Sequence, residues 1–160
     1  MAIEWISGDL FVNRVKAEAF AHGCNCKGSM GAGIAVGFLE RYPDMYEEYR
    51  RRCKSEPSEF QLGDCFYWPS TDQPSVFNLG TQTNLGGKAS LSGIESALTR
   101  MKEQADTKKI KTIAIPRIGA GYGHLSWEKV KAIVIKIFED WKGTLYVYEE
   151  YKAESLEGER

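Results

Sequence analysis

The sequence predicts an α/β fold, in which helices cover both faces of a central sheet in a three-layer α/β/α arrangement. Short apolar segments typical of buried strands alternate along the chain with longer amphipathic segments typical of helices. The 160 residues, 42% of them hydrophobic, suffice for one domain with a single core but not for two. We therefore expect one domain over residues 1–148, followed by an acidic tail over residues 149–160.

Six short apolar segments predict the strands of this sheet. They cover residues 3–6, 19–22, 64–68, 75–79, 111–115 and 144–148. The third and fourth segments are separated by Pro, Ser, Thr and Asp residues, which favour a turn between two strands. Pro116 ends the fifth segment, because proline cannot donate a hydrogen bond within a sheet.

Capping residues and helix breakers predict four helices between these strands. The first helix covers residues 31–42 and ends before Pro43, which cannot continue it. The next two helices begin with capping boxes, formed by Asp44 with Glu47 and by Ser92 with Glu95. The fourth helix begins at Ser126, carries a wide apolar stripe and ends at Gly143.

The charge balance limits the partners that this chain can have. Lys and Arg number 21 and Asp and Glu number 22, so the formal net charge is −1. Such a balance argues against strong nucleic-acid binding or membrane binding through bulk charge. No apolar run approaches the roughly 20 residues of a membrane span, and the first residues do not form a secretory signal. We expect a cytoplasmic protein without a membrane partner.

Four cysteines, at positions 24, 26, 53 and 65, raise the question of disulfides or a metal site. A chain that has its own core does not need disulfides, and the C-x-C spacing of the first two is not that of a zinc site. Because the sequence has only 2 histidines, we expect free, reduced thiols and neither a metal nor another cofactor.

Two glycine-rich segments each lie between a predicted strand and a predicted helix. We call residues 23–35 the first glycine-rich segment and residues 115–125 the second. Glycine lets consecutive backbone N–H groups point at a ligand, and the helix that follows adds its positive end, so both segments are suited to phosphate. Neither segment matches a P-loop or a Rossmann fingerprint. The alternative is that these glycines serve only tight turns.

The amino-acid sequences of these segments resemble those of one known family. Residues 22–35 read His-x-Cys-Asn-Cys-x-Gly-Ser-x-Gly-x-Gly-Ile-Ala, which is similar to the ADP-ribose-1″-phosphate phosphatase branch of the macrodomains. Residues 31–36 and 116–119 read Gly-Ala-Gly-Ile-Ala-Val and Pro-Arg-Ile-Gly, which resemble the terminal ADP-ribose protein glycohydrolases and the DarG antitoxins. The resemblance implies an α/β/α macrodomain with a central mixed sheet that binds ADP-ribose.

The resemblance also implies an activity and a set of site residues. The activity would be that of a hydrolase, which removes ADP-ribose from an ADP-ribosylated substrate or dephosphorylates ADP-ribose-1″-phosphate. His22 matches a histidine to which catalysis is attributed, and Asn25 is interpreted as orienting a water or the distal ribose. The residues expected to contact the ligand are Asp9, Leu10, Gly31, Ala32, Gly33, Ile34, Thr81, Gln82, Ile118, Gly119, Ala120, Gly121, Tyr122, Gly123 and His124.

Within that set, the resemblance implies that Asp9 accepts a hydrogen bond from the adenine amino group while Leu10 offers its backbone. Two positions depart from the glycohydrolase branch. Gln82 stands where that branch has a lysine and Gly123 where it has an aspartate, so a covalent lysyl adduct is excluded. These departures keep a second reading open, a non-catalytic ADP-ribose-binding module. A third reading is a small α/β scaffold without a ligand, whose glycines serve only turns.

Overall fold

A computed structural model of the chain describes residues 2–85, 87–121 and 123–155. These residues form one six-stranded sheet and four α-helices. The strands are β1 (Ile3–Gly8), β2 (Ala19–Asn25), β3 (Cys65–Trp68), β4 (Ser75–Gln82), β5 (Thr112–Ile115) and β6 (Thr144–Tyr151). The helices are α1 (Ile34–Arg41), α2 (Pro43–Lys54), α3 (Leu91–Lys108) and α4 (Trp127–Phe138).

The sheet has the strand order β1-β6-β5-β2-β4-β3, and only β3 runs antiparallel to its neighbour. The chain passes from β2 through α1, α2 and β3 to β4 on one side, and from β5 through α4 to β6 on the other. Open α/β sheets bind ligands where the connections diverge in this way, beyond the carboxyl ends of the strands. In this chain that point lies between β2 and β5.

Two apolar clusters, one on each face of the sheet, give the fold its three layers. Strand β2 contributes to both, because successive side chains of a strand point to opposite faces. Ala19 and Ala21 belong to the cluster that contains α3 and α4, while Phe20 and Cys24 belong to the cluster that contains α1 and α2. The predicted three-layer α/β/α class with a mixed sheet is therefore confirmed.

Two predicted helix starts are wrong. Helix α2 begins at Pro43, after the N-cap Tyr42, so Asp44 lies in the first turn and does not cap the helix. Proline is well suited to the first helical position, where no intrahelical N–H bond is required. Helix α3 is capped by Ser90, whose hydroxyl accepts a hydrogen bond from the Gly93 N–H at 3.0 Å, and not by Ser92.

The other two helices are shorter than predicted. Helix α1 begins at Ile34, with Gly33 as its N-cap. Helix α4 follows the N-cap Ser126 but ends at Phe138, before Gly143. In the described residues, no helix has the length and apolar character needed to cross a membrane. All four cysteines are free thiols.

Four strands extend further than predicted toward the same edge of the sheet, and β1 continues two residues past its predicted end, to Gly8. Strands β2, β4 and β6 each continue three residues past the predicted end, to Asn25, Gln82 and Tyr151. The first part of the predicted tail therefore belongs to the sheet, and the Lys152 N–H donates to the Gly8 carbonyl at 3.0 Å. Residues 156–160 of the predicted tail lie outside the described residues.

Candidate ligand-binding cleft

A cleft lies between the two glycine-rich segments, at the carboxyl ends of β2, β4 and β5. It has two chambers of about 320 and 350 Å³, which share Gly23, Ala32, Ala35 and Gln82 and are therefore continuous. We call the chamber lined by Gly33 of the first segment and by Gly119 and Gly121 of the second the first chamber. The chamber that contains His124 is the second chamber.

Most of the expected ligand contacts line this cleft. In the first chamber these are Ala32, Gly33, Ile34, Thr81, Gln82, Ile118, Gly119, Gly121 and Gly123. The second chamber adds Asn25, Gly31 and His124. Expected contacts from both segments thus line one cleft, because the two segments follow adjacent parallel strands.

The first chamber contains the start of helix α1. Its N-cap Gly33 has φ 64° and ψ −150°, a combination open almost only to glycine. This conformation turns the chain from the segment into the helix, whose first N–H groups have no partner within the helix. The positive end of α1 therefore faces the chamber and favours an anion there.

Backbone hydrogen bonds shape the second glycine-rich segment. The Leu125 N–H donates to the Gly119 carbonyl at 2.8 Å, and the Ala89 N–H donates to the Gly123 carbonyl at 2.9 Å. A Cβ at Gly123 would lie 2.7 Å from the Gly119 oxygen and 2.9 Å from the Ala89 Cβ. Gly123 is therefore required by close packing, whereas a Cβ at Gly121 would meet nothing within 4 Å. Tyr122 lies outside the described residues.

Asn25 organises the first glycine-rich segment. Its Nδ2 donates to the Ser29 carbonyl at 2.8 Å, and its Oδ1 accepts from the Lys27 N–H at 3.0 Å. The Tyr49 hydroxyl reaches both the Asn25 carbonyl (2.7 Å) and Oδ1 (3.0 Å). Burial raises the pKa of the Tyr49 hydroxyl, which keeps it protonated as a donor. Asn25 lines the second chamber and its amide also holds the loop in shape, so its role in catalysis stays a prediction.

His22 lies in the core and lines neither chamber. Its Nε2 is 2.7 Å from Asn78 Oδ1, and its ring stacks on Phe38 with the ring centres 3.9 Å apart. Burial lowers its pKa to about 4, against a smaller opposing effect of the Asn78 hydrogen bond. The ring therefore stays neutral at physiological pH. The expectation that His22 acts as an acid or base is corrected, since no substrate atom reaches a fully buried ring.

Two polar side chains at the end of β4 border the cleft. Thr81 is almost fully buried, and its hydroxyl is 3.4 Å from the Cys24 carbonyl. Gln82 lines both chambers, and its Nε2 donates to the Asn84 carbonyl at 2.9 Å. Their positions fit a role in holding a ligand rather than in covalent chemistry, because neither group is a strong nucleophile.

Three expected contacts are not part of the cleft lining. Asp9 caps the 3₁₀ turn Leu10–Val12 by accepting from the Phe11 N–H at 3.0 Å, and its own N–H donates to Glu154 at 2.7 Å. Leu10 is buried and Ala120 is half-buried. Because β1 and β6 run parallel to β5, Asp9 follows β1 at the same sheet edge as the cleft. Its adenine contact stays a prediction.

Several residues that line the cleft were not among the predicted contacts. They are Gly23, Ala35, Pro116 and Arg117 in the first chamber, and Cys24, Ser29, Met30 and Leu85 in the second. Arg117 is the most informative, because it is an exposed cation whose guanidinium lies 5.3 Å from the centre of the Trp127 ring. Because Arg117 lies within the second glycine-rich segment, its positive charge is visible in the sequence as a candidate contact for an anion.

A further cavity of about 560 Å³ lies behind the first glycine-rich segment. Its lining includes Cys26, Lys27, Cys53 and Lys54. Among the described residues, none of the second glycine-rich segment and none at the start of a helix borders it. Although it is larger, this cavity does not combine two glycine-rich segments with the start of a helix in the described residues, as the cleft does.

The fold and the cleft define an α/β/α domain with a glycine-lined site for an anionic ligand at the switch point of its sheet. The chain belongs to the macro domain family, because the Macro domain profile matches residues 21–134.

Three relatives illustrate this membership. A DNA ADP-ribosyl glycohydrolase of Mycobacterium tuberculosis is 32% identical over 140 residues, which cover 86% of this chain and 39% of that protein. The ADP-ribose glycohydrolase OARD1 of Homo sapiens is 30% identical, with 90% of each chain covered. An ADP-ribose 1''-phosphate phosphatase of Meyerozyma guilliermondii is 28% identical, with coverage of 84% and 93%.

The solved macrodomain of Mycobacterium tuberculosis DarG superposes with a TM-score of 0.82 at 30% identity, over 91% of this chain and 96% of that one. The chain spans about two fifths of the length of the mycobacterial DNA ADP-ribosyl glycohydrolase (39%).

Proposed function

We propose that this chain binds ADP-ribose in the cleft and hydrolyses the bond at its distal ribose. The substrate would be an ADP-ribosylated molecule, with ADP-ribose-1″-phosphate as the small-molecule alternative. One observation carries the proposal, namely that two glycine-rich segments from adjacent parallel strands line a single cleft at the start of a helix. The names of the relatives, two glycohydrolases and a phosphatase of ADP-ribosyl compounds, support it.

The first chamber is suited to the diphosphate. The start of α1 offers N–H groups and its positive end, and Arg117 of the second segment lines the same chamber, where its side chain would turn from Trp127 toward the ligand. Glycines at positions 33, 119 and 121 keep side chains out of the way of the phosphate oxygens. A diphosphate with two negative charges would thus be bound by dipoles and one cation.

The second chamber is suited to the distal ribose and the bond to be cleaved. It is continuous with the first chamber through Gln82 and carries the polar groups of Ser29 and His124. A ligand whose diphosphate occupies the first chamber would extend its next sugar into the second. The group attached to that sugar would then leave past Leu85, which is exposed.

The chemistry proposed is direct attack by water. Among the residues that the structure describes, no lysine and no carboxylate lines either chamber. A covalent intermediate on a lysine is therefore not part of the proposal. The rate would come from holding the ribose in place and from backbone dipoles that stabilise charge in a cleft from which water is largely displaced.

The same observation favours a second candidate, a module that binds ADP-ribose without cleaving anything. The two candidates make the same binding prediction and differ only in turnover. The binding part is the more general claim, because it depends on the two segments alone.

One experiment tests both. The protein is incubated separately with ADP-ribose-1″-phosphate and with aspartyl-, glutamyl- and thymidine-linked ADP-ribose, and free ADP-ribose is measured over time. Release from at least one substrate is the expected result. Binding of ADP-ribose by calorimetry without release would support the non-catalytic module. Neither binding nor a ligand-induced rise in melting temperature would contradict both and favour a scaffold.

A further inference from the structure

Very few side chains in the cleft are able to exchange a proton. Among the described residues, the ionisable groups that line the two chambers are Cys24, Arg117 and His124. Arginine stays protonated throughout the neutral range. Burial, reinforced by the neighbouring thiols, raises the pKa of Cys24 well above its ordinary value, so it stays a thiol. His124 is therefore the one described cleft residue with an imidazole, a group that can both donate and accept a proton.

The position of His124 places it at the reacting end of the proposed ligand. It is exposed and lines the second chamber together with Asn25 and Gln82. Its backbone has φ 58°, in the left-handed region, and its N–H donates to the Gly121 carbonyl at 3.1 Å. Only a few per cent of residues other than glycine have such a φ, and they concentrate at functional sites.

We propose that His124 is the general acid that protonates the departing group, an inference that rests on the proposed hydrolase function. Water oxygen forms a bond to the anomeric carbon of the distal ribose. The bond from that carbon to the carrier breaks, and its electron pair goes to the carrier atom. The imidazolium of His124 gives its proton to that atom, and the attacking water then releases a proton that restores the imidazolium.

This role makes His124 selective for one class of carrier. A carboxylate leaves without a proton, because a carboxylic acid is ionised at neutral pH. An atom of much lower acidity, such as the ring nitrogen or hydroxyl oxygen of a nucleoside, leaves well only when it is protonated. Loss of the acid should therefore slow release from a nucleoside far more than release from an aspartyl ester. A general base that activates water would affect both substrates equally.

The test compares single-turnover rates of His124→Gln and His124→Gly with those of the wild type. Glycine accepts the left-handed φ, so His124→Gly is not expected to disturb the backbone. With thymidine-linked ADP-ribose we expect a loss of about 100-fold or more, and about 3-fold or less with the aspartyl-linked substrate. The dissociation constant of ADP-ribose should change by less than about 3-fold, and added imidazole should restore part of the rate of His124→Gly.

Lys88→Gln is the matched control, because Lys88 is exposed beside the cleft and lines neither chamber. Equal losses on both substrates, or an unchanged rate on the thymidine-linked one, would overturn the role of His124. A wild type that cleaves another substrate but not the thymidine-linked one would overturn it as well and leave the proposed function standing. A wild type that cleaves none of the substrates would instead contradict the hydrolase itself.

Discussion

The two glycine-rich segments line the same cleft but are supported in different ways. Side chains hold the first segment in shape, because Asn25 forms hydrogen bonds with Ser29 and Lys27 and accepts one from the Tyr49 hydroxyl of α2. The second segment is held by hydrogen bonds from backbone N–H groups to backbone carbonyls, and its glycines let neighbouring backbone segments pack closely. The first segment should thus depend on particular side chains, and the second on the absence of side chains.

The largest expected effect is protonation of His22, which directly precedes the first segment. Its pKa is about 4 in the fold and about 6.5 when unfolded, so the unfolded chain takes up its proton first as the pH falls. The stability contributed by the neutral ring is complete above pH 6.5 and is lost toward pH 4. The loss amounts to about 3 kcal/mol in the free energy of unfolding.

Urea denaturation between pH 7 and pH 4 measures this effect. The chain has only two histidines, so His22→Gln and His124→Gln form a matched pair. The steep pH dependence should shrink in His22→Gln and persist in His124→Gln, because the second variant leaves the buried His22 ring in place. An identical pH dependence in both variants would show that the buried ring does not control acid sensitivity.

Asn25→Ala tests the side-chain support of the first segment. The substitution removes the bonds to Ser29 and Lys27 and leaves the Tyr49 hydroxyl with one partner fewer. At about 1 kcal/mol for each net hydrogen bond, we expect a loss of about 2 kcal/mol in the free energy of unfolding. Calorimetry should also show weaker ADP-ribose binding. A double-mutant cycle with Tyr49→Phe that gave no coupling would contradict the shared network.

Gly123→Ala tests the packing of the second segment. The new methyl group would meet the Gly119 oxygen at 2.7 Å, and we expect overpacking to cost about 1–3 kcal/mol of stability. Gly121→Ala is its control, because nothing lies within 4 Å of a Cβ there. Thermal unfolding of the two variants should separate them clearly. Equal melting temperatures would mean that close approach is not what requires glycine at position 123.

Arg117→Ala should have the smallest effect on stability and a clear effect on binding. Loss of the exposed guanidinium would remove the charge-assisted contact to the diphosphate proposed above, worth about tenfold in the dissociation constant of ADP-ribose. Arg117→Lys keeps the charge and should lose less. Titration calorimetry at two salt concentrations measures both variants. An affinity unchanged in Arg117→Ala would remove Arg117 from the proposed diphosphate site.

Much of the fold and of the cleft could be predicted from the sequence. The alternation of strands and helices predicted the three layers, and the resemblance to macrodomains implied that residues from both 23–35 and 115–125 contact one ligand. The glycines themselves, such as Gly33 at the start of α1, indicated where the backbone turns into the cleft. These features depend on local patterns, which the sequence contains in full.

Other features depend on contacts between distant parts of the chain. Periodicity assigns His22 to a strand but does not say whether that position lies in the core or at the cleft. Its hydrogen bond to Asn78 and its stacking on Phe38 fix the ring in the core, and both partners are distant in sequence. The extension of β6 to Tyr151 requires pairing with β1, some 140 residues earlier, as in the pair Gly8 and Tyr151. No local pattern contains such information.

The central claim is that both glycine-rich segments bind the diphosphate of one ADP-ribose molecule in the first chamber. Titration of ¹⁵N-labelled protein with ADP-ribose, followed through its backbone amide resonances, tests this most directly. We expect the amides of Gly33, Ile34, Gly119 and Gly121 to shift together along one binding curve, and to stay unchanged with adenosine. Shifts confined to one segment, or to the cavity around Cys53 and Lys54, would contradict the claim.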